Sequence, residues 1–183
     1  YRCQLVAIEV QIVDEQGLEL PLGEVGEIAV RGPNVMKGYW GMPEETSNSF
    51  HGEWFLTGDL GNEDKDGYFS ILDRKKDMVI VNGMNVYPRI IEEVIYKLEG
   101  VHEVAVIGRK DKLHGEIPVA YVVLEEGAQL EAADIRGWVR KYLAGYEVPR
   151  KVVFMDSLPK NASGKIVKRV LDKQGEVERG IEV

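Results

Sequence analysis

Cysteine is almost missing: Cys3 stands alone among 183 residues. A single thiol excludes an intrachain disulfide and a cysteine-rich zinc site, and it suits a reducing, cytoplasmic setting. Positive charge is also short. With 23 Lys and Arg against 31 Asp and Glu, the net charge is −8, which argues against attraction to nucleic acid or to an anionic membrane. No apolar run, such as Met78–Val81 or Val119–Leu124, approaches the length of a bilayer span. Tyr1–Val13 lacks a basic segment leading into an apolar stretch, so no signal peptide is read there. An initiator methionine is missing as well, and Tyr1-Arg2-Cys3 reads as a start inside a longer chain. Internal repeats and low-complexity linkers are absent.

What is present is an ordinary globular composition, 44% hydrophobic and 30% charged. The first third reads as β-rich. Glu9–Val13 and Glu27–Arg31 alternate apolar and polar residues, with Ile28 and Val30 on one face, and Tyr68–Leu72 follows a turn-forming Asp64–Gly67. Pro43-Glu44-Glu45 suits the first turn of a short helix. After Asp73–Lys76 the pattern changes to alternating strands and helices. Met78–Val81, Val101–Ile107, Ile117–Leu124 and Lys151–Phe154 read as strands. Ile90, Ile91, Val94, Ile95 and Leu98 form one helical stripe, and Ile135, Trp138, Val139 and Tyr142 another. Val167–Lys173 reads as a short closing helix, and the charged tail from Gly175 is expected to be poorly ordered.

Four segments carry candidate chemistry. Trp54-Phe55-Leu56-Thr57-Gly58-Asp59 reads plainly as an aromatic strand end, a glycine turn and a capping aspartate. Its functional reading gives Asp59 two carboxylate oxygens for the two hydroxyls of a ribose, with Gly58 allowing close approach. Leu72-Asp73-Arg74-Lys75-Lys76-Asp77 is a charged bend, but it lies where the two patterns meet, the place for a hinge. In Val81-Asn82-Gly83-Met84-Asn85-Val86-Tyr87-Pro88, a strand, a glycine loop and a helix entry leave room for a thin ligand at Gly83. Leu158-Pro159-Lys160-Asn161-Ala162-Ser163-Gly164-Lys165 is not a P-loop, because no glycine precedes Gly164 at that spacing. A lysine on such a glycine-flanked loop can still present a point charge to phosphate.

Taken together and in this order, the segments resemble the adenylate-forming superfamily of acyl-CoA synthetases, aryl-CoA ligases, firefly-type luciferases and nonribosomal adenylation domains. Gly26-Glu27-Ile28-Ala29-Val30-Arg31-Gly32 through Gly38-Tyr39 looks like that family's conserved-strand motif. Thr57-Gly58-Asp59 looks like its ribose motif, Asp73–Asp77 with Gly83 like its hinge and following loop, and Pro159-Lys160 through Gly164-Lys165 like its catalytic lysine loop. The resemblance implies two steps: a carboxylate attacks the α-phosphate of Mg-ATP to give acyl-AMP and pyrophosphate, and the thiol of coenzyme A then displaces AMP. By the same resemblance Lys165 is the catalytic cation, and Asp59, Arg74 and Lys165 contact ATP or AMP. Lys76 is the hinge, and Gly83 with Met84 lines the coenzyme A channel. Mg2+ is expected to be held mainly by a region upstream of Tyr1, with no metal ligand in this chain.

The implied fold is α+β: a β-rich, barrel-like subdomain over 1–74 belonging to a larger AMP-binding domain, a mobile lid over 75–174, and a tail over 175–183. Ile90 departs from the glutamate many relatives carry in the helix after the tyrosine–proline pair. The Ser/Thr/Gly-rich phosphate loop and the aromatic–Gly–x–Thr–Glu motif are absent and expected upstream, so this chain alone is not expected to adenylate. Hinge and Tyr87-Pro88 segments look most like fatty-acyl members. Aryl-CoA ligases are the next reading, ahead of carrier-protein-loading adenylation domains and a non-catalytic binding module. The expected partners are a carboxylic acid, ATP, coenzyme A and the upstream part of the same chain, in the cytoplasm, with peripheral membrane association of the parent left open.

Overall fold

The computed structural model describes residues 7–171 and divides into two compact units, Tyr1–Lys76 and Asp77–Val183. The first unit is an antiparallel sheet. Its strands are β1 (Glu9–Val13), β2 (Gly26–Arg31), β3 (Phe50–His51), β4 (Trp54–Glu63) and β5 (Phe69–Arg74), with the short helix α1 (Pro43–Asn48) before β3. β2 lies between β1 and β4. β3 and β5 share the other edge of β4, β3 opposite Trp54 and Phe55 and β5 opposite Asp59–Glu63.

Alternation in β2 predicts Ile28 and Val30 inward, yet Gly26 through Ala29 are all buried and Val30 is only half-buried. A strand with neighbours on both edges and cover on both faces hides alternate residues too. Glu27 is therefore only 6% exposed, a charged group where apolar side chains are the rule.

The second unit layers helices and a C-terminal segment on opposite faces of a mixed sheet. It contains β6 (Val79–Val81), β7 (Met84–Val86), α2 (Pro88–Tyr96), β8 (Val101–Asp111), β9 (Gly115–Leu124), α3 (Ala132–Val139) and β10 (Lys151–Phe154). β8 pairs antiparallel with β9 along its whole length. The other edge of β9 takes β6 at Gly115 and, in parallel, β10 from Val119 to Val122.

Even-numbered Val104, Val106, Ala120 and Val122 pack with Ile91 and Ile95 of α2 and Ile135 and Val139 of α3. Odd-numbered Ala105, Ile107, Val119, Tyr121 and Val123 face the other way, against Leu158, Ile166 and Leu171. This period of two divides one hairpin between two cores. Ile91 and Ile95 are 0% exposed, and truncating either to alanine costs about 2–5 kcal/mol. The α2 stripe starts at Pro88, as proline suits a first turn, and α3 begins with a reciprocal capping box between Glu131 and Asp134.

Three expectations change. Trp54–Asp59 is not a strand end followed by a turn, because β4 runs on through Glu63. Asn82-Gly83 is the two-residue turn of a β6–β7 hairpin, with Val81 paired to Met84 and φ of 52° and 80°. Positive φ at both central residues defines the tight turn for which Asn-Gly is the strongest short signal. Tyr142 lies beyond α3, in a turn, with its ring 5.0 Å from that of Trp138. The expected closing helix is present at residues 168–171, while its end and the tail from Gly175 lie outside the described residues.

Candidate functional site

In the first unit the site is a distortion of the sheet. Glu27 pairs with Leu60 and Ala29 with Leu56, so Thr57, Gly58 and Asp59 all oppose Ile28 alone. This wide bulge is held by side chains. Thr57 Oγ1 donates to the Ile28 carbonyl at 2.8 Å and accepts from the Asp59 N–H at 3.2 Å. Gly58 sits at φ 74°, a left-handed conformation that costs other residues about 1–2 kcal/mol, and its N–H donates to Glu27 Oε1 at 2.9 Å.

On the opposite edge Asp59 pairs with Arg74 and Leu60 with Asp73, whereas Gly61 pairs with Ile71, so Leu72 is bulged. Two bulges thus flank Leu60, as often happens where a sheet must aim a side chain. The result places Arg74 Nε 2.8 Å from Asp59 Oδ1, with the side chains 54% and 26% exposed. A carboxylate and a guanidinium stand side by side, half open to solvent, as an acceptor and a donor for a polar ligand.

The charged segment around Arg74 contains unlike residues. Asp73 is buried, with Oδ1 accepting from the Arg74 N–H at 2.7 Å. Lys75 donates to Glu27 Oε2 at 2.9 Å. Lys76, the middle residue of a single 3-10 turn over Lys75–Asp77, is exposed, and its side chain has no partner among the described residues. The boundary between the two units falls directly after it.

The lysine loop of the second unit is a small closed structure. Lys160 and Ile166 form a bridge, the Asn161 N–H donates to the Lys165 carbonyl at 2.9 Å, and the Gly164 N–H donates to the Asn161 carbonyl at 2.9 Å. Asn161 Oδ1 accepts from the N–H of Ser163, the hydroxyl of Ser163 and the N–H of Lys165 at 3.1, 2.8 and 2.9 Å. Lys160 is ion-paired with Glu103 of β8. Lys168, just past the loop, bonds Glu92 of α2 at 2.7 Å, and Arg109 Nη2 donates to the Leu171 carbonyl at 2.5 Å. Lys165 itself is exposed, with no side-chain partner among the described residues. Its neighbours are tied down and its ammonium is left available.

Gly83 stands elsewhere in the same unit. The Asn82 N–H donates to the His114 carbonyl at 2.9 Å, and Val81 pairs with Gly115, which puts the hairpin tip at the β8–β9 turn. Lys160 is anchored near the other end of β8, at Glu103. From Glu103 to Asp111 the strand rises about 26 Å. Asp111 fastens the turn: the His114 ring, then the N–H groups of Leu113 and His114, hold its carboxyl below the usual range. A shallow depression there is lined by Ile80, Lys110, Asp111, Lys112, Gly115 and Glu116. A Cβ on Gly83 meets nothing within 4 Å, so its need for glycine is the turn conformation. Met84 beside it is 47% exposed.

The structure brings Asp59 and Arg74 together in one unit and shows Lys165 and Gly83 as separate features of the other. Two supporting residues escaped sequence reasoning. Glu27 reads there as an outward position of an alternating strand. Asn161 had a readable signal, since an Asn in a short polar stretch ending in glycine, here Asn161-Ala162-Ser163-Gly164, favours a side-chain-closed turn. Among the described residues no group of three or more His, Cys, Asp or Glu is placed to hold a metal ion.

Residues 90–165 match the AMP-binding enzyme C-terminal domain, and residues 3–40 match the AMP-binding enzyme family. Feruloyl-CoA synthase of an Amycolatopsis species is 46% identical over 93% of the chain, and a long-chain-fatty-acid–CoA ligase of Bacillus subtilis is 44% identical over 92%. The chain spans about a third of these relatives' length, 34% and 30% respectively. The ATP-bound structure of MatB from Rhodopseudomonas palustris is similar with a TM-score of 0.87 at 45% identity, over 92% of this chain and 34% of that one. The apo structure of the same protein gives 0.69 over 93% of this chain. The chain belongs to the adenylate-forming, AMP-binding enzyme superfamily and corresponds to the C-terminal part of its members.

Proposed function

We propose that this chain is the C-terminal part of an AMP-forming acid–coenzyme A ligase, acting in the cytoplasm. Asp59 accepts hydrogen bonds from the ribose hydroxyls, and Arg74, held against it, faces the nucleotide and its phosphate. Lys165 stabilises the charge that builds on the phosphate oxygens as the carboxylate attacks, which lowers the barrier to acyl-AMP and pyrophosphate. The thiol of coenzyme A then attacks the acyl carbon and expels AMP, with the backbone at Gly83 and Met84 lining the thiol's path. Residues 75–174 act as a lid turning about Lys76.

The observation that carries this reading is the separation within the second unit. The lysine loop is anchored near one end of β8 and the Gly83 turn stands at the other, so one rigid unit cannot present both at one reacting centre. Two chemistries at one centre then require the unit to turn between steps. The two MatB structures agree with this reading in that their similarity to this chain is unequal over nearly the same residues, with a TM-score of 0.87 for the ATP-bound form and 0.69 for the apo form.

For the acid we propose a fatty acid, on the resemblance of the hinge and Tyr87-Pro88 segments and the 44% identity to the Bacillus ligase. An aromatic acid is the second reading, favoured by the 46% identity to feruloyl-CoA synthase. The test is the enzyme encoded with its upstream region. Acid-dependent ATP–pyrophosphate exchange and coenzyme A-dependent AMP release are expected with one class of a fatty and aromatic panel. The 183-residue chain alone is expected to be silent. Absence of exchange with every acid in the full-length enzyme overturns the ligase reading.

A further inference from the structure

Glu27 is a buried acid for which the proposed reaction has no use. Its side chain is 8% exposed, and both carboxylate oxygens are engaged, Oε1 by the Gly58 N–H at 2.9 Å and Oε2 by Lys75 Nζ at 2.9 Å. The two donors are 17 residues apart in sequence and belong to the two features that matter most in this unit. Gly58 is the left-handed centre of the bulge that presents Asp59. Lys75 is the last anchored side chain before Lys76, where the unit ends. Burying a carboxylate costs several kcal/mol unless its partners are well placed, and apolar packing usually stabilises a strand at least as well. Its presence here calls for a role beyond filling β2.

We infer that Glu27 is a positioning residue that sets the ribose-binding bulge and the fixed side of the hinge from one carboxylate. The inference rests on the ligase reading and adds a residue to it. Oε1 holds Gly58 in the conformation that aims the Asp59 side chain. Oε2 immobilises Lys75, so that backbone rotation begins at Lys76 and not earlier. Neither bond touches the nucleotide or the reacting atoms. Glu27 acts through Asp59 and through Lys75.

The two bonds are separable by substitution in the full-length enzyme. Glu27→Gln keeps an acceptor for the Gly58 N–H and loses the charge that holds Lys75, and Lys75→Met removes the same bond from the other side. Both are expected to leave KM for ATP within about twofold and to slow full turnover about fivefold, as for one lost charge-assisted bond. The double variant is expected to be no slower than either single, because both remove one interaction. Glu27→Leu removes the acceptor as well and is expected to raise KM for ATP and weaken equilibrium binding of AMP, each about tenfold.

Wild-type AMP affinity and ATP KM in a folded Glu27→Leu enzyme overturn the inference. So do additive losses in the double variant, or turnover unchanged in both single variants. If Glu27→Leu does not fold, the Glu27→Gln and Lys75→Met pair still decides. An inactive wild-type enzyme defeats the ligase reading and this inference with it, whereas an active one indifferent to these substitutions defeats the inference alone.

Discussion

The segments that carry Asp59 and Lys165 are both held by side-chain hydrogen bonds, but the two supports differ in reach. The bulge carrying Asp59 is tied by Glu27, a residue of another strand, and its carboxylate already leans on Arg74. The loop carrying Lys165 is closed from inside, by Asn161 accepting from residues two and four positions on. A long-range support suits a group that must be preorganised for a ligand, since the whole sheet resists its movement. A short-range support suits a group that travels, because the loop keeps its shape whatever the unit carrying it does. Lys75 and Lys76 repeat the contrast in adjacent residues, one bonded to a buried acid and one with no side-chain partner among the described residues.

On the proposed mechanism, removing the Lys165 charge is expected to have the largest effect. Lys165→Ala in the full-length enzyme should slow acyl-AMP formation on the order of 10²–10³-fold, while thioester formation from supplied acyl-AMP changes little. Loosening its support should cost less. Asn161→Ala leaves Lys165 present but removes the acceptor of three hydrogen bonds, and a loss of about tenfold in acyl-AMP formation is expected. The melting temperature should hardly move, since the loop is exposed. Equal effects of the two substitutions on both half-reactions would dissolve the distinction between a travelling and a fixed group.

On the fixed side, Gly58→Ala forces a Cβ into a left-handed conformation although space is open around it. The strain, about 1–2 kcal/mol, should appear as a severalfold rise in KM for ATP with little change in maximal exchange rate. The smallest effect is a control away from both regions. Asp111 has its carboxyl held below the usual range by His114 and two backbone N–H groups. Because its folded value is depressed, its contribution is present above the ordinary carboxylate pKa and lost as pH falls through the depressed value. Asp111→Asn should therefore melt lower at neutral pH, the gap closing in acid, with ribose binding and exchange unaltered.

The parts legible in the sequence are those that depend on near neighbours. The stripe of Ile91 and Ile95, the proline at the start of α2 and the alternation in β1 are local patterns, and each element forms where its pattern lies. Asn82-Gly83 was legible in principle as a hairpin turn, and the competing reading of a ligand-lining loop obscured β7. The bulge was not legible. Gly58 looks like a turn because positive φ and turns usually coincide, but pairing with β2 on one edge and β5 on the other carries β4 straight through. Glu27 was hidden for the same reason, as only the register against Leu60 and the approach of Lys75 reveal why an acid is buried there. Asp59, Arg74, Lys76 and Lys165 were singled out as motifs, while the residues whose bonds hold the Asp59 bulge and Lys75 become visible only through three-dimensional contacts.

Whether the second unit serves two reactions by turning at Lys76 is decided by the ratio of the two half-reaction rates in Lys76→Pro. Proline fixes φ near −65° and biases Lys75 before it away from helical dihedrals, so the substitution is expected to confine the Lys75–Asp77 segment to one arrangement. Lys76→Ala leaves the backbone free and serves as the reference. Both variants are expected to melt like the wild type, with Lys76→Ala keeping both rates within about twofold and Lys76→Pro retaining one half-reaction while losing the other by at least about a hundredfold. Parallel loss of both rates in a folded Lys76→Pro enzyme, or no loss of either, contradicts a hinge at this residue.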